Sequence, residues 1–147
     1  MKKNKSFLTP EEKKSVENEI MNAELKTSGE IRVHILNKNK TDNIMDEAGK
    51  WFKKLKMHKT RDRNGVLLII APHAKKFAIF GDIAINEKIH DNFWNEVRDK
   101  IQEYFVYGRY SEGIKFAVKT TGSVLEKFFP IKPDDVNELP NEITESD

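Results

Sequence analysis

The run Gly65-Val66-Leu67-Leu68-Ile69-Ile70-Ala71 contains no polar side chain, and it constrains the fold more than any other stretch. A half-exposed strand alternates apolar and polar residues, whereas one that is apolar throughout is covered on both faces. Pro72-His73-Ala74-Lys75 then forms a tight turn into Lys76-Phe77-Ala78-Ile79-Phe80, which predicts an antiparallel hairpin. Upstream, Glu30-Ile31-Arg32-Val33-His34-Ile35-Leu36 alternates at its start, the pattern of a strand with one buried face. Between the two lies a segment in which Ile44, Ala48, Trp51, Phe52 and Leu55 follow helical spacing while Lys50, Lys53, Lys54 and Lys56 point elsewhere, an amphipathic helix. Strand, helix and strand make a βαβ unit with parallel strands, so the sheet is mixed.

Three further helices are expected. Thr9 is placed to cap the first, with Pro10 at its first position, Glu12 completing a capping box, and Val16, Ile20 and Ala23 as its apolar stripe. Gly29 is read as the stop beyond it. After Gly81-Asp82 come a short helical turn, then a helix carrying Phe93, Trp94, Val97, Ile101, Tyr104 and Phe105. A break at Tyr107-Gly108-Arg109-Tyr110 leads to a last helix carrying Ile114, Ala117, Val118, Thr121, Leu125 and Phe128, with Ser111 as its cap. Helices on both faces of a small mixed sheet are the economical packing, so the expected class is α/β, a three-layer α/β/α sandwich.

At 147 residues the chain has room for one domain of this kind. Residues 1–8 are read as an N-terminal extension, 9–130 as the domain and 131–147 as a disordered acidic tail. The tail carries Asp134, Asp135, Glu138, Glu142, Glu145 and Asp147 against Lys132, a net charge of −5 within a chain of +2, so residues 1–129 carry +7. Pro133, Pro140 and few apolar residues support the reading of disorder. With no cysteine, disulfide scaffolds, thiol catalysis and Cys-ligated metals are excluded. The basic start Met1-Lys2-Lys3-Asn4-Lys5 is followed by no apolar core of a signal peptide, and no stretch approaches the ~20 apolar residues of a membrane span. A soluble, cytoplasmic, monomeric protein is expected.

The topology groups residues distant in sequence. The starts of the two parallel strands (Glu30; Asp62, Arg63, Asn64) and the end of the returning strand (Gly81, Asp82) share one end of the sheet. Carboxylates beside an amide oxygen suit a hard cation such as calcium or magnesium. Equally, Glu30 and Asp82 could pair with Arg32, Arg61 or Arg63, or cap the following turn. The rule that ligands sit beyond the carboxyl ends of parallel strands points to the opposite end.

Other constellations carry less. His34, His58, His73 and His90 fit no compact ligand spacing, there is no Gly-x-Ser-x-Gly elbow, and the isolated glycines make neither a P-loop nor a dinucleotide fingerprint. Trp51 to Arg63 interleaves aromatics with basic residues, yet Trp51 and Phe52 belong to the core-facing stripe. That leaves a solvated basic face and no nucleic-acid partner is expected. Arg109 and Tyr110, in the turn before the last helix, could meet a ligand, as could Arg63 and Asn64.

The segments Arg63-Asn64-Gly65-Val66-Leu67-Leu68, Lys76-Phe77-Ala78-Ile79 with Gly81-Asp82-x-x-Ile85 and Glu87-Lys88, Phe93-Trp94-x-x-Val97, and Phe105-x-x-Gly108-x-Tyr110-x-x-Gly113-Ile114 together resemble the TPM domain. That domain is shared by a thylakoid lumen protein, a photosystem II repair factor and a modulator of an acetylcholine-receptor channel. The resemblance runs from about Leu8 to Pro130 and implies an α/β/α sandwich. It also implies divalent cation binding, calcium in particular, with acidic positions at Asp62 and Asp82 and Glu87 just beyond. Some members of the family are described as acid phosphatases and others act through membrane-protein partners. Many carry an export signal and a membrane span, from which this sequence departs. Three functions follow as expectations: a calcium-binding regulatory module with Glu30, Asp62, Asp82 and Glu87 as ligands and an unidentified protein partner; a metal-dependent phosphatase acting on phosphomonoesters, with no catalytic residue assigned; or a metal-free adaptor using Tyr107 or Tyr110.

Overall fold

The computed structural model describes residues 7–133 and 138–147; residues 1–6, most of the expected extension, and Asp134 and Asp135 of the tail lie outside them. In chain order the elements are α1 (Pro10–Glu24), β1 (Glu30–Leu36), α2 (Ile44–Lys54), a 3-10 turn (Met57–Lys59), β2 (Gly65–Ala71), β3 (Lys76–Gly81), α3 (Ile83–Lys88), α4 (Asp91–Val106), α5 (Tyr110–Phe128) and β4 (Thr144–Ser146). The sheet order is β3-β2-β1-β4. β1 runs parallel to both β2 and β4, and β3 runs antiparallel to β2.

The apolar run of β2 is buried along its whole length. Val66, Leu68 and Ile70, with Ile31, Val33 and Ile35 of β1, face a core built from Val16 and Ile20 of α1, Val97 and Ile101 of α4, and Ile114, Val118 and Leu125 of α5. Leu67, Ile69 and Ala71 face the other way, against Ala48 and Phe52 of α2 and Met57 of the 3-10 turn. This is the three-layer arrangement, and β2 is what the layers close upon. No described helix is long and apolar enough to cross a membrane.

The capping box at Thr9 forms: its hydroxyl accepts from the Glu12 amide at 3.1 Å, and Glu12 accepts from the Thr9 amide at 2.8 Å. Two local expectations are corrected. Ser111 lies inside α5, whose first flanking residue is Arg109, and its hydroxyl bonds to Glu12. Gly108, at φ +73°, makes the break, as the left-handed backbone there favours glycine. Gly29 does not end α1, which stops at Glu24; a Cβ at Gly29 would lie 2.9 Å from Leu125 Cδ1, so its smallness lets β1 start against α5.

The larger correction concerns the tail read as disordered. Residues 138–146 cross the face of the sheet and end as β4 on the outer edge of β1. Leu139 is buried against Phe52, Met57 and Leu67, and Asn37 N donates to Ser146 O at 2.7 Å. Ile143 N donates to Glu17 at 2.9 Å, and Lys13 pairs with Glu145. Acids and prolines argue against a self-standing core, but an edge strand needs only backbone groups and a place to bind. Burying one leucine contributes about 1.5–3 kcal/mol, while fixing a single backbone residue costs about 1–2 kcal/mol. The strap is therefore held by this seat together with the packing of Ile143 on the main core and the hydrogen bonds of its edge.

Helices α1 and α5 pack closely at Gly122 of α5, where a Cβ would fall 2.7 Å from Ala23 Cβ and 3.5 Å from its Cα on α1. Gly122→Val should force these helices apart and lower stability by about 1–3 kcal/mol in urea unfolding; an unchanged midpoint would mean that α1 is not seated on α5 in this way.

Candidate functional site

The backbone converges at one sheet end as the topology requires. Glu30 lies beside Gly65 and Val66 beside Gly81. Asp82 N donates to Gly65 O at 3.0 Å, Glu30 N to Asn64 O at 3.4 Å, and Ala84 N to Arg63 O at 3.1 Å.

The side chains then part. Asp82, buried at 5 % exposure, accepts Arg63 Nε on Oδ2 and Nη2 on Oδ1, both at 2.7 Å, and its Oδ1 also takes the Ile83 amide at 2.8 Å to cap α3. Two parallel charge-assisted bonds from a guanidinium are the strongest and most directional way to hold a carboxylate. Arg63 reaches it from a left-handed backbone, φ +52°. Asp62 faces Lys132 Nζ at 3.3 Å and Arg61 Nε at 3.8 Å. Glu30 Oε1 accepts the Glu138 amide at 2.7 Å, and Glu138 in turn accepts the Arg61 amide at 3.1 Å. Glu87 is exposed on α3. Asn64, 1 % exposed, donates to Ser28 Oγ at 3.2 Å, while its Oδ1 is buried with no hydrogen-bond partner.

These residues as they stand do not fit a calcium cage. Calcium takes six to eight oxygens, yet both oxygens of Asp82 are on Arg63, and among the described residues no group of three or more His, Cys, Asp or Glu side chains is arranged to hold a metal ion. Asn64 Oδ1, buried without a hydrogen-bond partner, is an oxygen at this end that could still serve as a ligand.

Arg109 and Tyr110 lie at the opposite sheet end. Arg109 pairs with Glu112 and sits 5.4 Å over the Tyr104 ring. Tyr110 packs between Phe7 and Phe105, centroids 5.4 and 5.3 Å away. With Phe77 and Val106 it lines a cleft of about 310 Å³ beyond Ala71.

Two buried polar centres escaped the reading of motifs. Glu24, at the end of α1, accepts the Ile31 amide on Oε2 at 2.7 Å, and its carboxyl neighbours that of Glu30. Burial first, then the neighbouring Glu30, pushes Glu24 up to about 8, against the pull of the Ile31 amide and Arg32. Arg32 is itself buried, which lowers its pKa, with Glu142 and Glu24 opposing. The second centre is His34. Its ring stacks on Trp51 at 4.0 Å, Nδ1 lies 2.6 Å from Thr144 Oγ1, and Nε2 lies 2.8 Å from Ser146 Oγ. Burial, reinforced by Arg32, holds it down at about 4. Spacing offered no signal for either, since both are made by contacts across the fold.

A family model for the TPM domain matches residues 1–124. Among solved structures, the chain is similar to the NMR structure of BA42 protein from the psychrophilic bacterium Bizionia argentinensis, at 41% identity and a TM-score of 0.90, covering 99% of this chain and 100% of that one. No curated protein matches.

The two buried groups act on stability with opposite sign. Folding keeps Glu24 protonated between 4.5 and about 8, so its contribution falls as pH rises through that interval. Folding keeps His34 neutral between about 4 and 6.5, so its contribution falls as pH drops through that one. The slopes cancel between 4.5 and 6.5, leaving Glu24 alone above. Glu24→Gln, which keeps an oxygen for the Ile31 amide, should remove a loss of about 2 kcal/mol between pH 6.5 and 8. Thermal melts at both pH values check this: equal alkaline losses in the two proteins would refute the buried acid pair.

Proposed function

The chain belongs to the TPM domain family, and on that premise we propose that it works in the cytoplasm as a non-catalytic, regulatory binding module for a protein partner. One observation carries the reading: the carboxylate best placed to do chemistry, Asp82, is engaged through both oxygens by Arg63 and caps α3 with one of them. An acid held in this way is poor as a base and as a nucleophile, because proton transfer or attack first requires breaking two charge-assisted bonds. Glu30 and Asp62 are likewise engaged by groups of the protein itself. The sheet end behaves as a clasp that fixes the turn before β2 to the turn after β3.

A calcium-responsive form of the module is the second reading, favoured by the leftover oxygen of Asn64 and by the exposure of the Arg63 side chain, 43 %. A cation entering this end competes with Arg63 for Asp82, and Asp62, Glu30 and Glu87 would have to turn toward it. Magnesium fits less well, because it demands a tighter octahedral set.

Two measurements separate these readings from a phosphatase. The module should hydrolyse p-nitrophenyl phosphate no faster than buffer; turnover that survives repurification and vanishes in Asp82→Ala would overturn the non-catalytic reading. In the calcium-responsive form, Arg63→Met frees Asp82 and should gain more thermal stabilisation from millimolar calcium than the parent chain, about 2.7 kcal/mol at a hundredfold excess over Kd. Asp82→Asn should lose that response. Identical melts with calcium and with chelator in all three proteins would leave the module metal-free.

A further inference from the structure

We infer that the outer edge of β1 is a docking edge for an extended segment of a protein partner, and that residues 138–146 occupy it as a displaceable stand-in. The inference rests on the reading of the chain as a binding module and names the surface and the class of partner. Strand addition to an open edge draws affinity from main-chain hydrogen bonds and specificity from alternate side chains, and both are visible here in the segment already bound.

The main-chain part is the parallel pairing of Thr144–Ser146 with His34–Leu36, closed by the Asn37 amide on Ser146 O. The side-chain part is a short code. His34 reads two hydroxyls, one with each ring nitrogen, at Thr144 and Ser146. Lys13 on α1 meets the acid between them, Glu145. Upstream, Leu139 fills an apolar seat made by Phe52, Met57 and Leu67. The ligand is therefore an extended peptide running parallel to β1, with a hydroxyl–acid–hydroxyl triplet preceded by one aliphatic residue.

The edge is larger than its occupant. β1 has seven residues and β4 pairs with three of them. Glu30 N points to β2, and Asn37 N to β4, so by the alternation of a parallel ladder the Ile31 amide lies on the β4 side. There it is met by the side chain of Glu24 instead of a strand. A carboxylate can swing aside, and a longer partner strand would then bond along β1 where the tail does not. The tail holds its place by being tethered, since attachment in the same chain supplies a local concentration in the millimolar range.

The test uses the full chain and, as probe, a fluorescein-labelled peptide of residues 138–147, followed by anisotropy. Leu139→Asp unseats the strap while leaving the edge intact; Thr144→Val with Ser146→Ala does so more gently and serves if the first variant fails to fold. Either released variant should bind the probe at least tenfold more tightly than the parent chain. A probe with valine and alanine in place of its threonine and serine should bind at least tenfold more weakly, and Lys13→Glu in the released background should weaken the normal probe several-fold. A folded released variant that binds no better than the parent, or that binds both probes equally, overturns the proposal. A released variant that dimerises in sedimentation instead of binding the probe assigns the edge to a second copy of the chain and also overturns it. None of these outcomes touches the non-catalytic reading, which stands or falls on hydrolysis.

Discussion

A strand with no polar face can be stable only inside a sandwich, and the organisation of this protein follows from covering β2 on both sides. α2 and the 3-10 turn serve one side while α1, α4 and α5 serve the other. Because β2 is central and pairs with β1 and β3, its two ends define the two ends of the molecule. The polar turns before Gly65 and after Gly81 are pressed together at one end, and the aromatic cleft of Phe77, Phe105 and Tyr110 forms at the other. The residues with chemical potential are thus distributed by the demands of a seven-residue apolar run.

Much of this was legible beforehand because it depends on periodicity. The position of β1, helical spacing in α2, the capping box at Thr9 and the hairpin turn after Ala71 all fall where the pattern put them, but β1, whose alternation suggests one open face, is buried along its whole length, with His34 under Trp51. The grouping of Glu30, Asn64 and Asp82 was legible as well, since backbone topology alone places them. The direction of each side chain was not. Arg32, Arg61 and Arg63 are equivalent partners for Asp82 on paper, and the choice falls to Arg63, whose backbone has positive φ. Glu24 reads as one more helix-surface acid until the fold lays it beside the Ile31 amide. The tail misled for a related reason: composition reports the capacity to build a core, whereas β4 borrows a finished one and asks only for a free edge and the ring of His34.

The charged shell also divides more finely than a count suggests. Glu47 on α2 is buried and held by Lys38 and Lys50, Asp82 by Arg63, and Glu24 by burial beside Glu30 that favours its protonated form. Each is a different answer to the cost of burying a carboxylate: ion pairing near water, bidentate pairing inside, and neutralisation. The answer used depends on how much solvent the site retains.

One consequence concerns the order in which the molecule is made. Synthesis delivers β1, which ends at Leu36, about a hundred residues before the strap. The strap's contacts with α1 and β1 join positions more than a hundred residues apart, Lys13 to Glu145 and His34 to Thr144. Throughout that interval the nascent sheet presents a bare edge, the feature that recruits neighbouring chains into aggregates. Glu24 lies only seven residues from Ile31, so the bond that covers this edge amide is local to α1 and β1 and needs no part of the strap. The acid that weakens the finished protein at alkaline pH thereby covers one amide of that edge by a contact independent of the strap.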